Sequence, residues 1–151
     1  MHDEEDSALR RNRMAVLARS STGRLQELWA ALDLEPSYRT LRGPECGLIT
    51  LRARVGGSGE PFNFGEATVT RASVRLEDGS VGHAVALGRD SDKARIAALV
   101  DAVCRTTSTA ALVDARMIAP LQQELDAADE TRRREAAATR VDFFTMVRGE
   151  D

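Results

Sequence analysis

Arg54-Val55-Gly56-Gly57-Ser58-Gly59-Glu60-Pro61-Phe62-Asn63-Phe64-Gly65-Glu66-Ala67-Thr68-Val69-Thr70-Arg71 is the stretch on which the reading of the fold turns. Three of the chain's eleven glycines fall within four positions, and a proline, two phenylalanines and an asparagine follow at once. Glycine reaches backbone angles that a Cβ forbids and lets a second backbone or a ligand come close. Successive free N–H groups in such a loop can form a concave anion site. The same residues also read as a hairpin connection with ordinary turn chemistry. Both readings place a strand on either side.

Upstream, Cys46 to Val55 alternates, with Ile49, Leu51, Ala53 and Val55 on one face and Thr50, Arg52 and Arg54 on the other. Before it, Tyr38-Arg39-Thr40-Leu41-Arg42 reads as a short separate strand closed by Gly43-Pro44. Downstream, Thr68 to Leu76 resumes the alternation, setting Ala72, Val74 and Leu76 against Arg71, Ser73 and Arg75. Glu77-Asp78-Gly79-Ser80 carries the Asp-Gly pair that suits a tight hairpin turn. Val81 to Leu87 is the return strand, and its small residues Gly82, Ala84 and Ala86 would let a helix pack closely. The expectation is an antiparallel sheet of about four strands over residues 38–88, with one polar, arginine-bearing face.

The flanks have helical period. Residues 1–6 read as an acidic, flexible, solvated lead, and Ser7 as the cap of a helix over about 8–19 carrying Met14, Leu17 and Ala18. After Ser20-Ser21-Thr22, the residues Leu25, Leu28, Trp29 and Leu32 mark one face of a second helix that ends by Pro36. Asp90-Ser91-Asp92 caps a third helix with the apolar stripe Ile96, Leu99, Val100, Val103 and Cys104. A last helical region runs from about Ala110 to Thr139, with Pro120 kinking it or opening its second half. The whole is a single α+β domain, residues 1–151, with two N-terminal and two or three C-terminal helices around the sheet. The closing Val141-Asp142-Phe143-Phe144-Thr145-Met146-Val147-Arg148-Gly149 is apolar after a highly charged helix. Val141, Phe143, Phe144, Met146 and Val147 therefore read as a segment, 141–149, that docks on a partner.

Composition narrows the function. The chain has 151 residues, is 42% hydrophobic and 30% charged, and should fold around a real core. A net charge of −3 argues against wholesale binding to nucleic acid or an anionic membrane. No apolar run approaches a membrane span and the N-terminus has no signal-peptide core, so a soluble cytoplasmic protein is expected. Cys46, Cys104, His2 and His83 offer no metal-ligand spacing, so no metal site is expected in this chain alone. No nucleophile–base constellation stands out. His83 is the one general base by type, but it sits mid-strand among small residues. No P-loop lysine follows the glycines. What remains is arginine around a glycine-rich loop, with Arg the side chain suited to bidentate oxyanion contacts. The site expected from the residues comprises Arg54, Gly56, Gly57, Gly59, Asn63, Glu66, Thr70, Arg71 and Arg89, facing a phosphate-bearing substrate or a partner.

Several segments taken together resemble a known family. They are Leu41-Arg42-Gly43-Pro44-Glu45-Cys46-Gly47-Leu48, Gly56 to Glu66, Thr68-Val69-Thr70-Arg71, Gly88-Arg89-Asp90, Asp101-Ala102 and Val141 to Gly149. Their order and spacing are similar to those of PhnG, a subunit of the bacterial carbon–phosphorus lyase core complex. The resemblance runs from about Met14 to Gly149. It implies a part in phosphonate catabolism with the PhnH, PhnI, PhnJ and PhnL subunits. It also implies a transferase reaction of the complex in which methylphosphonate displaces adenine from ATP, giving α-D-ribose 1-methylphosphonate 5-triphosphate. Carbon–phosphorus cleavage by PhnJ, with its iron–sulfur cluster and S-adenosylmethionine, comes later. The resemblance carries no catalytic residue onto this chain and implies no cofactor bound by it alone. The alternative is a purely structural scaffold of that complex without substrate contact.

Overall fold

The computed structural model describes residues 2–139. Helices α1 (His2–Arg19) and α2 (Thr22–Ala31) lead into three strands, β1 (Tyr38–Arg54), β2 (Pro61–Leu76) and β3 (Val81–Leu87). Helices α3 (Ser91–Val103), α4 (Thr107–Val113) and α5 (Ala119–Ala138) follow. A 3₁₀ turn over Val55–Gly57 begins the β1–β2 connection, and a π-helical stretch, Asp114–Ile118, joins α4 to α5. The α+β class and the antiparallel sheet are as expected from the sequence. The strand order is β1-β2-β3.

The strand count is three, because the two segments expected on either side of Gly43-Pro44 are one strand. The ladder with β2 slips between Thr40 and Arg42 and again between Arg42 and Glu45, so bulges absorb the extra residues. Gly43 sits at φ 62, and a Cβ there would lie 2.5 Å from the Glu45 nitrogen, so only glycine lets the strand run through. The first helix also differs. It begins at His2, so Ser7 lies inside it rather than capping it. Glu4 and Asp6 fall in its opening turns, where carboxylates favour the positive end of the helix dipole.

Helix α3 is the centre of the molecule. All its residues from Ile96 to Val103 are buried. It lies on β2 and β3, and α1 and α2 pack against its other side. The small-residue face of β3 permits this approach. A Cβ on Gly82 would lie 2.5 Å from the Ala102 nitrogen and 2.9 Å from its Cβ. Leu17, Leu25, Val74, Val100, Val113, Met117 and Leu121 fill the interior between these elements. Two bidentate arginine pairs hold α1 in place. Arg10 donates to the buried Asp101 at 2.7 and 2.8 Å, and Asp101 also accepts from the His83 backbone N–H at 2.9 Å. Arg13, itself buried, donates to Asp114 at 2.6 and 2.7 Å. The two pairs tie α1 to α3, to β3 and to the π-helical stretch.

The sheet has two unlike halves. β3 pairs with β2 only from Val69 to Arg75. Beyond that, β1 and β2 continue as a two-stranded ribbon, with Leu48 to Arg54 paired to Thr68 to Pro61. At roughly 3.4 Å per residue this arm extends about 20 Å past the packed base.

Candidate functional site

At the tip of the arm the glycines make the turn between the two strands. Gly56 and Gly57 have φ of 60 and 81, the left-handed region that favours glycine. The Gly59 N–H donates to the Val55 carbonyl at 2.9 Å, and Arg54 Nη1 donates to the Gly59 carbonyl at 3.1 Å. The turn is thus closed by its own bonds, with one of its arginines turned back on it. A shallow open depression beside it is lined by Arg52, Ala53, Arg54, Gly57 and Pro61. Asn63 lies opposite Arg52 in the ladder, and Glu66 lies opposite Thr50; both are exposed.

The arm carries large apolar side chains that no other described residue covers. Leu48 is 63%, Val55 70% and Phe64 68% exposed, with Ile49 and Phe62 also exposed. Cross-strand partners share a face of the ribbon. Ile49, Leu51, Ala53 and Phe62 therefore lie on one side, and Leu48 on the other. Phe64 is the extra residue of a bulge, because the ladder passes from Leu51–Gly65 to Arg52–Asn63. The alternation read from the sequence is real, but the face it defines has no layer over it within the described residues.

Thr70, Arg71 and Arg89 lie elsewhere. The reading that Arg71 and Arg89 flank the glycine loop is corrected by the register. Arg71 pairs with Glu45 in the packed half, ten residues along β2 from Pro61, so roughly 30 Å separates it from the tip. The site residues read from the sequence thus form two groups rather than one. Thr70 is fully buried, and its hydroxyl donates to the Gly88 carbonyl at 2.7 Å and accepts from the Asp90 N–H at 3.0 Å. It fastens β2 to the start of α3. Asp90 caps that helix by accepting from the Lys93 N–H at 2.9 Å and from the Thr22 hydroxyl. Burial pushes the Asp90 carboxyl up, but the Thr22 and Lys93 hydrogen bonds and the Lys93 charge outweigh it and hold the group below its ordinary value. Arg89 is exposed on the preceding turn. The expected docking residues Val141, Phe143, Phe144, Met146 and Val147 lie outside the described residues.

The sheet face opposite α3 bears the arginines. Arg71, Ser73 and Arg75 of β2 share it with their cross-strand partners Glu45, Arg42 and Arg39 of β1 and Val85, His83 and Val81 of β3. Arg71 Nη2 stands 3.5 Å from Glu45 Oε1, which also accepts from Arg42 Nε at 2.5 Å. Ser73 Oγ and His83 Nδ1 are 2.8 Å apart. This pair lies on a flat strand surface, and among the described hydrogen bonds no carboxylate orients the ring, so it lacks the third group that activates a serine. Sequence reasoning placed Arg75 with Arg71 on the polar face but missed that Arg39 and Arg42 join them, because only the register brings these residues together. Cys104 packs beside the core, and burial pushes its thiol up to about 11. Among the described residues there is no cluster of three or more His, Cys, Asp or Glu, and no helix is long and apolar enough to cross a membrane.

The fold and these two surfaces define a helix-backed α+β protein with an uncovered ribbon and an arginine face, an architecture suited to assembly. The comparisons make the class specific. The family described as phosphonate metabolism protein PhnG matches residues 8–149, and the chain belongs to that family. It is 49% identical over 149 residues to a protein of Rhizobium meliloti (strain 1021) named alpha-D-ribose 1-methylphosphonate 5-triphosphate synthase subunit PhnG. That similarity spans 99% of this chain and 95% of the relative.

Proposed function

We propose that this chain is an accessory subunit of an α-D-ribose 1-methylphosphonate 5-triphosphate synthase. In this reading it acts in the cytoplasm with PhnH-, PhnI- and PhnL-like subunits. The complex transfers the ribose triphosphate of ATP to methylphosphonate with displacement of adenine. PhnJ, with its iron–sulfur cluster and S-adenosylmethionine, cleaves the carbon–phosphorus bond afterwards. The name of a relative that matches along nearly the whole chain supports the reaction. The observation that carries the subunit role is the arm. A two-stranded ribbon that leaves Leu48, Val55 and Phe64 largely in water has the surface of an interface rather than of a self-sufficient monomer. The arm is the element that docks.

A scaffold without substrate contact is the second reading, and one observation favours it. Two of the three arginines expected to face substrate have partners within the chain, Arg54 on the Gly59 carbonyl and Arg71 in a 3.5 Å ion pair with Glu45. Co-expression with the sibling subunits, purified through a tag on this chain, tests the proposal. Recovery of a stoichiometric complex that converts ATP and methylphosphonate is expected. Recovery of the tagged chain alone would overturn it. Arg71→Ala in that complex separates the two readings, since assembly with lost product formation requires substrate contact and assembly with full product formation is the scaffold.

A further inference from the structure

Arg39 and Arg75 oppose one another directly across the β1–β2 ladder. Opposed residues bring their Cβ atoms to about 5 Å, and like charges placed there repel. Neither guanidinium has an ion pair among the described residues, in contrast to Arg42 and Arg71, which share Glu45. The Arg75 Nε is buried and has no hydrogen-bond partner; the Arg71 Nε shares that state, but Arg71 has the Glu45 carboxylate beside it. A buried N–H without an acceptor is a cost that folded proteins seldom leave standing. Both side chains line one depression at the end of the sheet, with Ser37, Tyr38, Glu77 and Gly79 around them. Glu77 makes no ion pair with either arginine, although it borders the same space. Repulsion, an orphaned donor and an open depression coincide at one place, and one missing species would answer all three.

We propose that Arg39 and Arg75 form an oxyanion site, which takes a group with at least two acceptor oxygens between the two guanidinium groups. An oxyanion neutralises the opposed charges and accepts from the orphaned Nε–H, and its planar or tetrahedral oxygens suit the arginine fork. A phosphate or phosphonate group and the carboxylate of a neighbouring subunit share this chemistry. The site lies in the packed half of the sheet, distant from the glycine turn; the partner-carboxylate source rests on the subunit reading, and the free-oxyanion source does not.

Thermal unfolding of the full chain in phosphate, against chloride of equal ionic strength, tests the site in wild type, Arg39→Gln and Arg75→Gln. Phosphate also stabilises folded proteins generally by exclusion from their surface, so the comparison with the variants is what decides. A free oxyanion predicts a saturable rise in Tm for wild type, and at least about tenfold more phosphate for the same rise in either variant. A partner carboxylate predicts no saturable phosphate effect, but reduced recovery of sibling subunits by both variants. In chloride alone each variant should melt at or above wild type, because one of two repelling charges is gone. A phosphate response identical in all three chains, together with undiminished recovery of siblings, would overturn the site. So would a marked fall in Tm for both variants in chloride, which would make the pair an internal structural element. If wild type recovers no sibling subunits, the subunit proposal fails and the phosphate titration alone decides this one.

Discussion

Replacing Leu48, Val55 and Phe64 together by threonine separates the arm's two possible uses, support of its own fold and support of assembly. Threonine is a β-branched residue that suits a strand, and it removes most of the apolar surface. The three residues are 63%, 70% and 68% exposed, so about two thirds of each is left uncovered by the described residues. Burying a Leu, Val or Phe side chain fully is worth roughly 1.5–3 kcal/mol, so the exposed parts hold about 1–2 kcal/mol each. The three together hold about 3–6 kcal/mol that burial against a partner would realise, equivalent to roughly 10²–10⁴ in affinity. The assay pairs thermal unfolding of the isolated chain with recovery of sibling subunits through a tag. The expected result is a Tm within a few degrees of wild type and a loss of at least about 100-fold in apparent affinity. A chain that unfolds would show that the arm supports its own domain, and a chain that assembles normally would show that the arm faces solvent in the complex. Either result refutes the reasoning.

Gly82→Ala places a methyl group 2.5 Å from the Ala102 nitrogen, and the clash is with helix backbone that can yield only by moving α3. A loss of about 3 kcal/mol is expected in denaturant unfolding. Asp101→Asn keeps the shape but removes the charge that the bidentate Arg10 and the His83 N–H share, and about 2 kcal/mol should be lost by the same measure. Alkylation of the native protein at pH 8 should label Cys46, which is exposed, and spare Cys104, whose thiol burial pushes up to about 11. Because the folded value of Cys104 lies above the ordinary 9.0, its contribution is fully present below pH 9.0 and is lost as pH rises toward about 11. Cys104→Ser should flatten that part of the stability–pH curve. Gly57→Ala at φ 81 should cost about 1 kcal/mol in Tm-derived stability, and an unchanged Tm would mean the tip is frayed in solution.

Local chemistry was legible in the sequence wherever it decided local structure. Asp78-Gly79 makes the β2–β3 turn with Gly79 at φ 89, and Asp90 caps α3 through the Lys93 N–H. The small face of β3 does receive a helix, and Leu25, Leu28, Trp29 and Leu32 do face the core. The misses fall where local pattern runs out, and period in particular says which residues share a face but not what lies over it. Ile49, Leu51 and Ala53 alternate as a buried strand would, yet the arm extends past the helices. Gly43-Pro44 carries the composition of a strand end, but one bulge just before it and a second that contains it let the ladder continue through. Arg10 and Asp101 stand 91 positions apart, and no local rule pairs them. Arg39 meets Arg75 only because two one-residue slips set the register, and a different slip would have turned Arg39 to the helix side.

The arm's two apolar faces also bear on how fast its complex can exchange subunits. A single apolar face can be covered by a flat surface and released by sliding or tilting away. If the arm docks as proposed, a ribbon with Ile49 and Phe62 on one side and Leu48 on the other is received in a slot that touches both. Leaving such a slot requires withdrawal along the arm's length or opening of the receiving subunit, and contacts on both sides break before any new ones form. Dissociation is then slower than the buried area alone would give, since among mutants of one interface affinity differences reside mostly in the off-rate. A chain seated in this way would remain with its first partners for many turnovers, and mixing labelled with unlabelled assemblies would show exchange over hours rather than seconds.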